Sequence, residues 1–131
     1  MKKNGKKGFT LIELMVVVII VGILAAAAVP IYRGQIKRAI AAEGEALLGS
    51  VRTAELVYYS EHGKYLDVDE GGDEDDPLGI DATKNRYFKS YSVKGNTAIT
   101  TYDDEEGGHH YEIAMNIDTG EIKRICDGNP F

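Results

Sequence analysis

The sequence predicts an α+β fold in which one long N-terminal helix packs across a four-stranded antiparallel sheet. Three observations support this prediction. An unbroken apolar run of 16 residues extends from Leu14 to Val29, a helical pattern continues beyond it, and four strand-like segments follow in the C-terminal half. The 131 residues are enough for one small domain with a single core.

The apolar run has the length of a membrane-spanning helix. Extended back to Phe9 it contains 21 residues, which span about 31 Å as a helix, close to the hydrocarbon thickness of a bilayer. Glu13 is the one carboxylate in this stretch. Basic residues before the run predict a cytoplasmic N-terminus and a C-terminal part outside the membrane; they are Lys2, Lys3, Lys6 and Lys7.

Three interpretations of this N-terminus are possible: a secretory signal peptide cut near the small residues Ala25 to Ala28, a plain membrane anchor, or a leader cut before the apolar run. Glu13 favours the third interpretation. An ionisable group within a membrane segment is costly, and neither a signal peptide nor an anchor needs one. A carboxylate at this position indicates that a partner charge is supplied later.

The helical pattern after Pro30 also argues against a discarded signal. Apolar residues recur at steps of three, four or seven, with charged residues between them, as in an amphipathic helix. The helix is therefore predicted to run from about Phe9 to Ser60. Its apolar stripe comprises Ile36, Ile40, Leu47, Val51, Ala54 and Tyr58, and the intervening charged residues are Glu43, Glu45, Arg52 and Glu55.

The segment from Gly8 to Leu14 (GFTLIEL), followed by an apolar run and then Pro30, resembles the N-terminal signature of type IV pilins and of the related type II secretion pseudopilins. The lysine-rich segment before Phe9 resembles the short type IVa leader. The segment from Tyr58 to Tyr65 resembles the pilin pattern that closes the long helix. Beyond these segments the resemblance is general.

The resemblance implies a division of the chain into a leader (1–8), a transmembrane and assembly helix (9–30), its amphipathic continuation (31–62) and a β head (63–131). It implies cleavage between Gly8 and Phe9 by a prepilin peptidase and methylation of the new amino group on Phe9. Glu13 then pairs with the N-terminal amine of a neighbouring subunit, and Gly22 and Pro30 are weak points between which the helix melts in the filament. No cofactor is implied.

The partners implied are the peptidase and methyltransferase, an inner-membrane assembly platform, and other pilins, identical or mixed, in the filament. The chain lies in the bacterial inner membrane before assembly and in an extracellular pilus afterwards. A type II secretion pseudopilin, which forms a periplasmic pseudopilus, is one alternative. A monomeric, membrane-anchored periplasmic module is the other.

The head is predicted from local composition. Residues 67–81 are dense in Asp and Glu and contain three glycines and Pro77, which predicts a loop. The spacing does not fit an EF-hand, so a solvated acidic loop is favoured over a calcium site. Strands are predicted at Tyr87 to Val93, Thr97 to Tyr102, Tyr111 to Ile117 and Glu121 to Ile125.

Composition also restricts the function. The net charge is −6, and loss of the four leader lysines leaves −10, so no direct nucleic-acid site is predicted. No catalytic constellation or phosphate loop is present, which predicts a protein that is not an enzyme.

Cys126 has no second cysteine to pair with and is expected to be a small buried residue. His109 and His110 are interpreted as loop residues, not as metal ligands, because adjacent strand side chains point to opposite faces.

Overall fold

The computed structural model describes residues 8–131. A single α-helix, α1 (Leu11–His62), is followed by six strands: β1 (Val68–Gly71), β2 (Tyr91–Lys94), β3 (Thr97–Asp104), β4 (His109–Asn116), β5 (Ile122–Cys126) and β6 (Asn129–Pro130). The chain divides into two compact units between Lys37 and Arg38. The first contains the apolar part of α1, and the second contains the rest of α1 and the whole sheet.

The predicted helix is confirmed within two residues at each end, and it continues through Pro30. Gly63 follows its last residue with a positive φ of 72°, and the Gly63 N–H donates to the carbonyl of Tyr59 at 2.8 Å. This is the expected C-terminal use of glycine, which adopts the left-handed conformation without steric strain.

The sheet is an antiparallel meander in which the spatial order of the strands equals their order in the chain. The four predicted strands correspond to β2–β5, and two short edge strands extend the sheet from four strands to six. β1 lies within the segment that composition predicts to be an acidic loop. β6 contains Pro130 and pairs only with β5, as expected because a proline cannot donate to a further strand.

The predicted first strand begins four residues later than expected, at Tyr91 instead of Tyr87. The reason is that the side chain of Glu43 in α1 binds the backbone just before this strand. The N–H groups of Arg86, Tyr87 and Phe88 donate to the carboxylate of Glu43 at 3.1, 2.7 and 2.9 Å, so they take no part in a strand ladder. A sequence pattern with period two does not reveal this competing partner.

The core lies in the second unit, between the C-terminal part of α1 and one face of the sheet. Of the predicted helix stripe, Ile40, Leu47 and Val51 are buried, while Ile36, Ala54 and Tyr58 are only partly covered. The fully buried apolar side chains are Leu48, Val51, Ala82, Phe88, Val93, Ala98, Ile113 and Ile117.

Glu55 departs from the amphipathic pattern, which places it among the charged residues between the apolar positions. It is completely buried. Its Oε2 accepts from the Leu66 N–H at 3.0 Å, whereas its Oε1 has no hydrogen-bond partner in the described chain. Burial raises the pKa of Glu55, although the Leu66 hydrogen bond opposes that shift and the charge of Asp67 adds to it. The hydrogen bond from Leu66 connects the chain just after the helix to α1.

Candidate assembly site on the N-terminal helix

The first turn of α1 is closed by a reciprocal pair of hydrogen bonds. The Thr10 N–H donates to Oε2 of Glu13 at 2.8 Å, and the Glu13 N–H donates to Oγ1 of Thr10 at 3.3 Å. This is a capping box, in which the two residues satisfy two backbone donors that a helix start otherwise leaves without partners. It fixes Glu13 at the positive end of the helix dipole, where a negative charge is favoured.

The capping box leaves Glu13 able to accept more. Its side chain is exposed, and among residues 8–131 only Oε2 has a hydrogen-bond donor. Phe9 precedes the cap and is 92% exposed. The structure therefore brings Phe9, Thr10 and Glu13 together at one end of the helix, with one carboxylate oxygen directed at no other described group.

The helix beyond Glu13 exposes apolar side chains on every side. An 18-residue window of α1 near the N-terminus has a mean hydropathy of 3.0, and none of that window is buried. By length and composition this helix is suited to cross a membrane. A helix that is apolar all round needs either lipid or other apolar helices as its surroundings.

Gly22 and Pro30 lie within the helix, away from the capping box. A Cβ on Gly22 would meet no atom within 4 Å, so contacts in the described chain do not require glycine there. Pro30 occupies an internal helix position, where it removes one backbone hydrogen bond. Melting of the helix between these residues in a filament stays a prediction.

Three further glycines of α1 differ in their surroundings. A Cβ on Gly44 would lie 2.5 Å from Cδ1 of Ile113 and 2.9 Å from Cε2 of Phe88, whereas Gly34 and Gly49 have nothing within 4 Å. Gly44 therefore allows the helix to approach the sheet closely. Gly34 and Gly49 have no such close neighbour among residues 8–131.

Asp76 is the carboxylate of the acidic segment that accepts the most hydrogen bonds among the described residues. Asp76 accepts from the N–H groups of Gly72, Leu78 and Ile80 at 2.6, 2.8 and 3.1 Å and from the Tyr91 hydroxyl at 2.8 Å. Burial, together with the nearby Asp76, raises the pKa of Tyr91. The other acidic residues of this segment are exposed. Asp76 therefore holds the first part of the connection between β1 and β2, whose last part is held by Glu43.

Comparisons with known proteins show the family of this chain. The family model described as "Prokaryotic N-terminal methylation motif" matches residues 3–29. The type IV major pilin protein PilE1 of Neisseria gonorrhoeae is 35% identical over 95% of this chain and 77% of its own length. The chain belongs to the type IV pilin family. Two proteins named "Fimbrial protein" are also similar. The one from Neisseria meningitidis serogroup B is 34% identical over 95% of this chain and 74% of its own length. The one from Dichelobacter nodosus is 39% identical over 96% of this chain and 78% of its own length.

The sequence predicts an assembly role for Glu13 in this pilin. The hydrogen bonds between Glu13 and Thr10 were not predicted. The spacing Thr10-x-x-Glu13 directly before an apolar run is a capping-box signature, so the signal was present. Residues 1–7 of the predicted leader (1–8) lie outside the described residues. Gly8 and Phe9, between which cleavage is predicted, are both exposed.

Proposed function

We propose that this pilin is a structural subunit of a type IV pilus that is matured between Gly8 and Phe9 and polymerised through α1. The observation that carries the proposal is the uncovered apolar helix with one carboxylate in its first turn. An inner-membrane bilayer covers that helix before assembly, and neighbouring α1 helices cover it in the filament. The N-terminus faces the cytoplasm, where the peptidase, methyltransferase and assembly platform act on it.

Cleavage after Gly8 turns the amide nitrogen of Phe9 into an ammonium group, which N-methylation leaves positively charged. In an apolar filament interior an unpaired carboxylate is unfavourable, and an ammonium within hydrogen-bond distance relieves that cost. Glu13 keeps one oxygen on the Thr10 N–H and offers the other to the Phe9 ammonium of an adjacent subunit. The pair sets the axial register of the subunits.

The test is intact-mass and peptide mass spectrometry of sheared surface filaments and of the membrane fraction. The proposal predicts that filaments contain this chain in abundance, starting at Phe9 with one added methyl group. A mature N-terminus near Ala25 to Ala28 would overturn it. A matured chain found only in periplasmic fractions would support the pseudopilus instead, and one that never leaves the membrane would support the monomeric module.

A further inference from the structure

Three side chains with different ligand chemistry meet where β4 begins and β5 ends. His109 begins β4, Cys126 ends β5, and Asp127 follows directly. One ligand atom from each residue lies within 4.8 Å of the other two. Oδ2 of Asp127 is 2.7 Å from Nδ1 of His109 and 3.6 Å from Sγ of Cys126.

The backbone accounts for this convergence. Cys126 is paired across the ladder with Tyr111, and His109 lies two residues before Tyr111, so it shares the same face of the sheet. Asp127 has a positive φ of 52°. Its N–H donates to the carbonyl of His110 at 2.8 Å, and its Oδ1 accepts from the His110 N–H at 2.8 Å. These bonds hold the carboxylate with Oδ2 towards His109 and Cys126.

We propose that His109, Cys126 and Asp127 bind a divalent transition-metal ion of the Zn²⁺ type. Imidazole nitrogen, thiolate sulfur and carboxylate oxygen are the ligands this class of ion prefers. Zinc bond lengths of about 2.0–2.3 Å place tetrahedral ligand atoms about 3.3–3.6 Å apart. The sulfur–oxygen distance already fits, and the nitrogen–oxygen pair opens by about half an ångström as the ion replaces its hydrogen bond.

Binding requires neutral His109, with the Nδ1 lone pair on the metal, and releases the Cys126 thiol proton to solvent. Three protein ligands leave a fourth tetrahedral position for water. The sequence-based expectation considered only the adjacent pair His109 and His110. That pair does diverge: Nδ1 of His110 contacts Oδ1 of Asp103 at 2.5 Å, away from the proposed site.

The surroundings suit such an ion. Cys126 is 7% exposed and Tyr111 is 2% exposed, so one side of the site is shielded from solvent. The rings of His109 and Phe131 pack edge-on against Tyr111, with centroids 6.2 and 5.6 Å away. The side chains of His109 and Asp127 are 43% and 44% exposed, which leaves a path for entry. A bound ion would join the start of β4, the end of β5 and the turn into β6.

The test is titration of the detergent-solubilised full chain with Co²⁺ and then Zn²⁺. We expect each chain to bind one Co²⁺ ion and to show a thiolate-to-cobalt charge-transfer band. Added Zn²⁺ should displace the Co²⁺ and so abolish the band. Cys126→Ser should lose the band, and His109→Gln should weaken Co²⁺ binding by at least about ten-fold. His110→Gln is the matched control, since it removes the neighbouring imidazole and should bind like wild type. Circular dichroism verifies that each variant is folded.

The unaltered chain provides a second measurement. Zn²⁺ should raise the Tm of the head, because an ion that binds only the folded state stabilises it, and a chelator should reverse the increase. The proposal is overturned if wild type shows neither the band nor the Tm increase, if the band survives in Cys126→Ser, or if His110→Gln weakens binding as much as His109→Gln. The experiment uses unassembled chains, so its result does not depend on filament formation.

Discussion

The Glu43 carboxylate of α1 holds the backbone of Phe88, whose N–H donates to Oε1 at 2.9 Å. The same carboxylate accepts from the N–H groups of Arg86 and Tyr87. The Phe88 ring is completely buried. One helix side chain therefore positions the loop segment that delivers a large aromatic ring to the core, which makes Glu43 a structural residue and not a solvent-facing charge.

Glu43→Ala should destabilise the head by about 2–3 kcal/mol, because three backbone donors lose a charged acceptor. The measurement is urea unfolding of the detergent-solubilised chain, followed by near-ultraviolet circular dichroism of the tyrosines. Glu61→Ala is the control; the Glu61 side chain is exposed and makes no hydrogen bond in the described residues, so its loss should change stability by less than about 0.5 kcal/mol. Equal effects of the two variants would show that Glu43 does not hold the loop.

Gly44 and Gly49 form a matched pair on the same helix. Gly44→Ala places a methyl group against Ile113 and Phe88, and overpacking of this kind costs about 1–3 kcal/mol. Gly49→Ala meets open space and should stabilise the helix by about 0.5–1 kcal/mol. The same unfolding measurement should give changes of opposite sign. Stabilisation by Gly44→Ala would show that the interface yields to the extra methyl group.

Patterns that repeat along the sequence predicted most of this fold. The apolar run, the helical stripe through Leu47 and Val51, and the alternation from Tyr111 to Ile117 each give a periodic signal, and each marks an observed element. The two edge strands were missed because β1 lies in a segment dense in acidic residues and β6 is two residues long with a proline. Edge pairing of this kind depends on contacts distant in sequence.

Side chains that act on distant backbone were harder to predict. Glu43 and Glu55 occupy positions that periodicity assigns to a charged surface, yet their partners are Phe88 and Leu66. Nothing local to either glutamate encodes those partners. The convergence of His109 with Cys126 and Asp127 likewise depends on the β4–β5 register, which a single sequence does not specify.

Glu55 should make the stability of the head depend on pH. Burial raises its pKa above the ordinary value of 4.5, so the folded state binds this proton more tightly than the unfolded state does. The contribution of Glu55 to stability is therefore fully present below about pH 4.5 and is lost as pH rises through the folded pKa. A change of one pKa unit corresponds to about 1.4 kcal/mol.

Glu55→Gln tests this dependence. The amide oxygen can still accept from the Leu66 N–H, but the side chain no longer ionises. Between about pH 4 and pH 7 wild type should lose more stability than Glu55→Gln, so the variant improves relative to wild type as pH rises. Glu61→Gln, at an exposed position, should follow wild type. Comparison with wild type is essential because Asp81, Asp118 and Asp127, whose pKa values are lowered, contribute the opposite slope. Parallel pH profiles for Glu55→Gln and wild type would contradict the prediction.

The charge of Glu13 can be separated from its capping role. Glu13→Gln can preserve the hydrogen bond from the Thr10 N–H, since glutamine also serves in a capping box, but it is neutral and cannot form an ion pair with an ammonium group. Glu13→Ala removes both interactions. If the charge sets the register of assembly, both variants should insert into the membrane normally and reduce sheared filaments by at least about ten-fold. The measurement is the ratio of this chain in the filament and membrane fractions, determined by immunoblot.

The control for that experiment is Glu61→Gln, which makes the same chemical change at an exposed position in the other unit of the chain and should leave the filament yield unchanged. A yield that falls only in Glu13→Ala would assign the role of Glu13 to the helix cap, because the hydrogen bond to Thr10 would then be sufficient. A normal yield in both variants would remove Glu13 from assembly altogether. Loss in both, with intact membrane insertion, is the result that requires a charged partner on the next subunit.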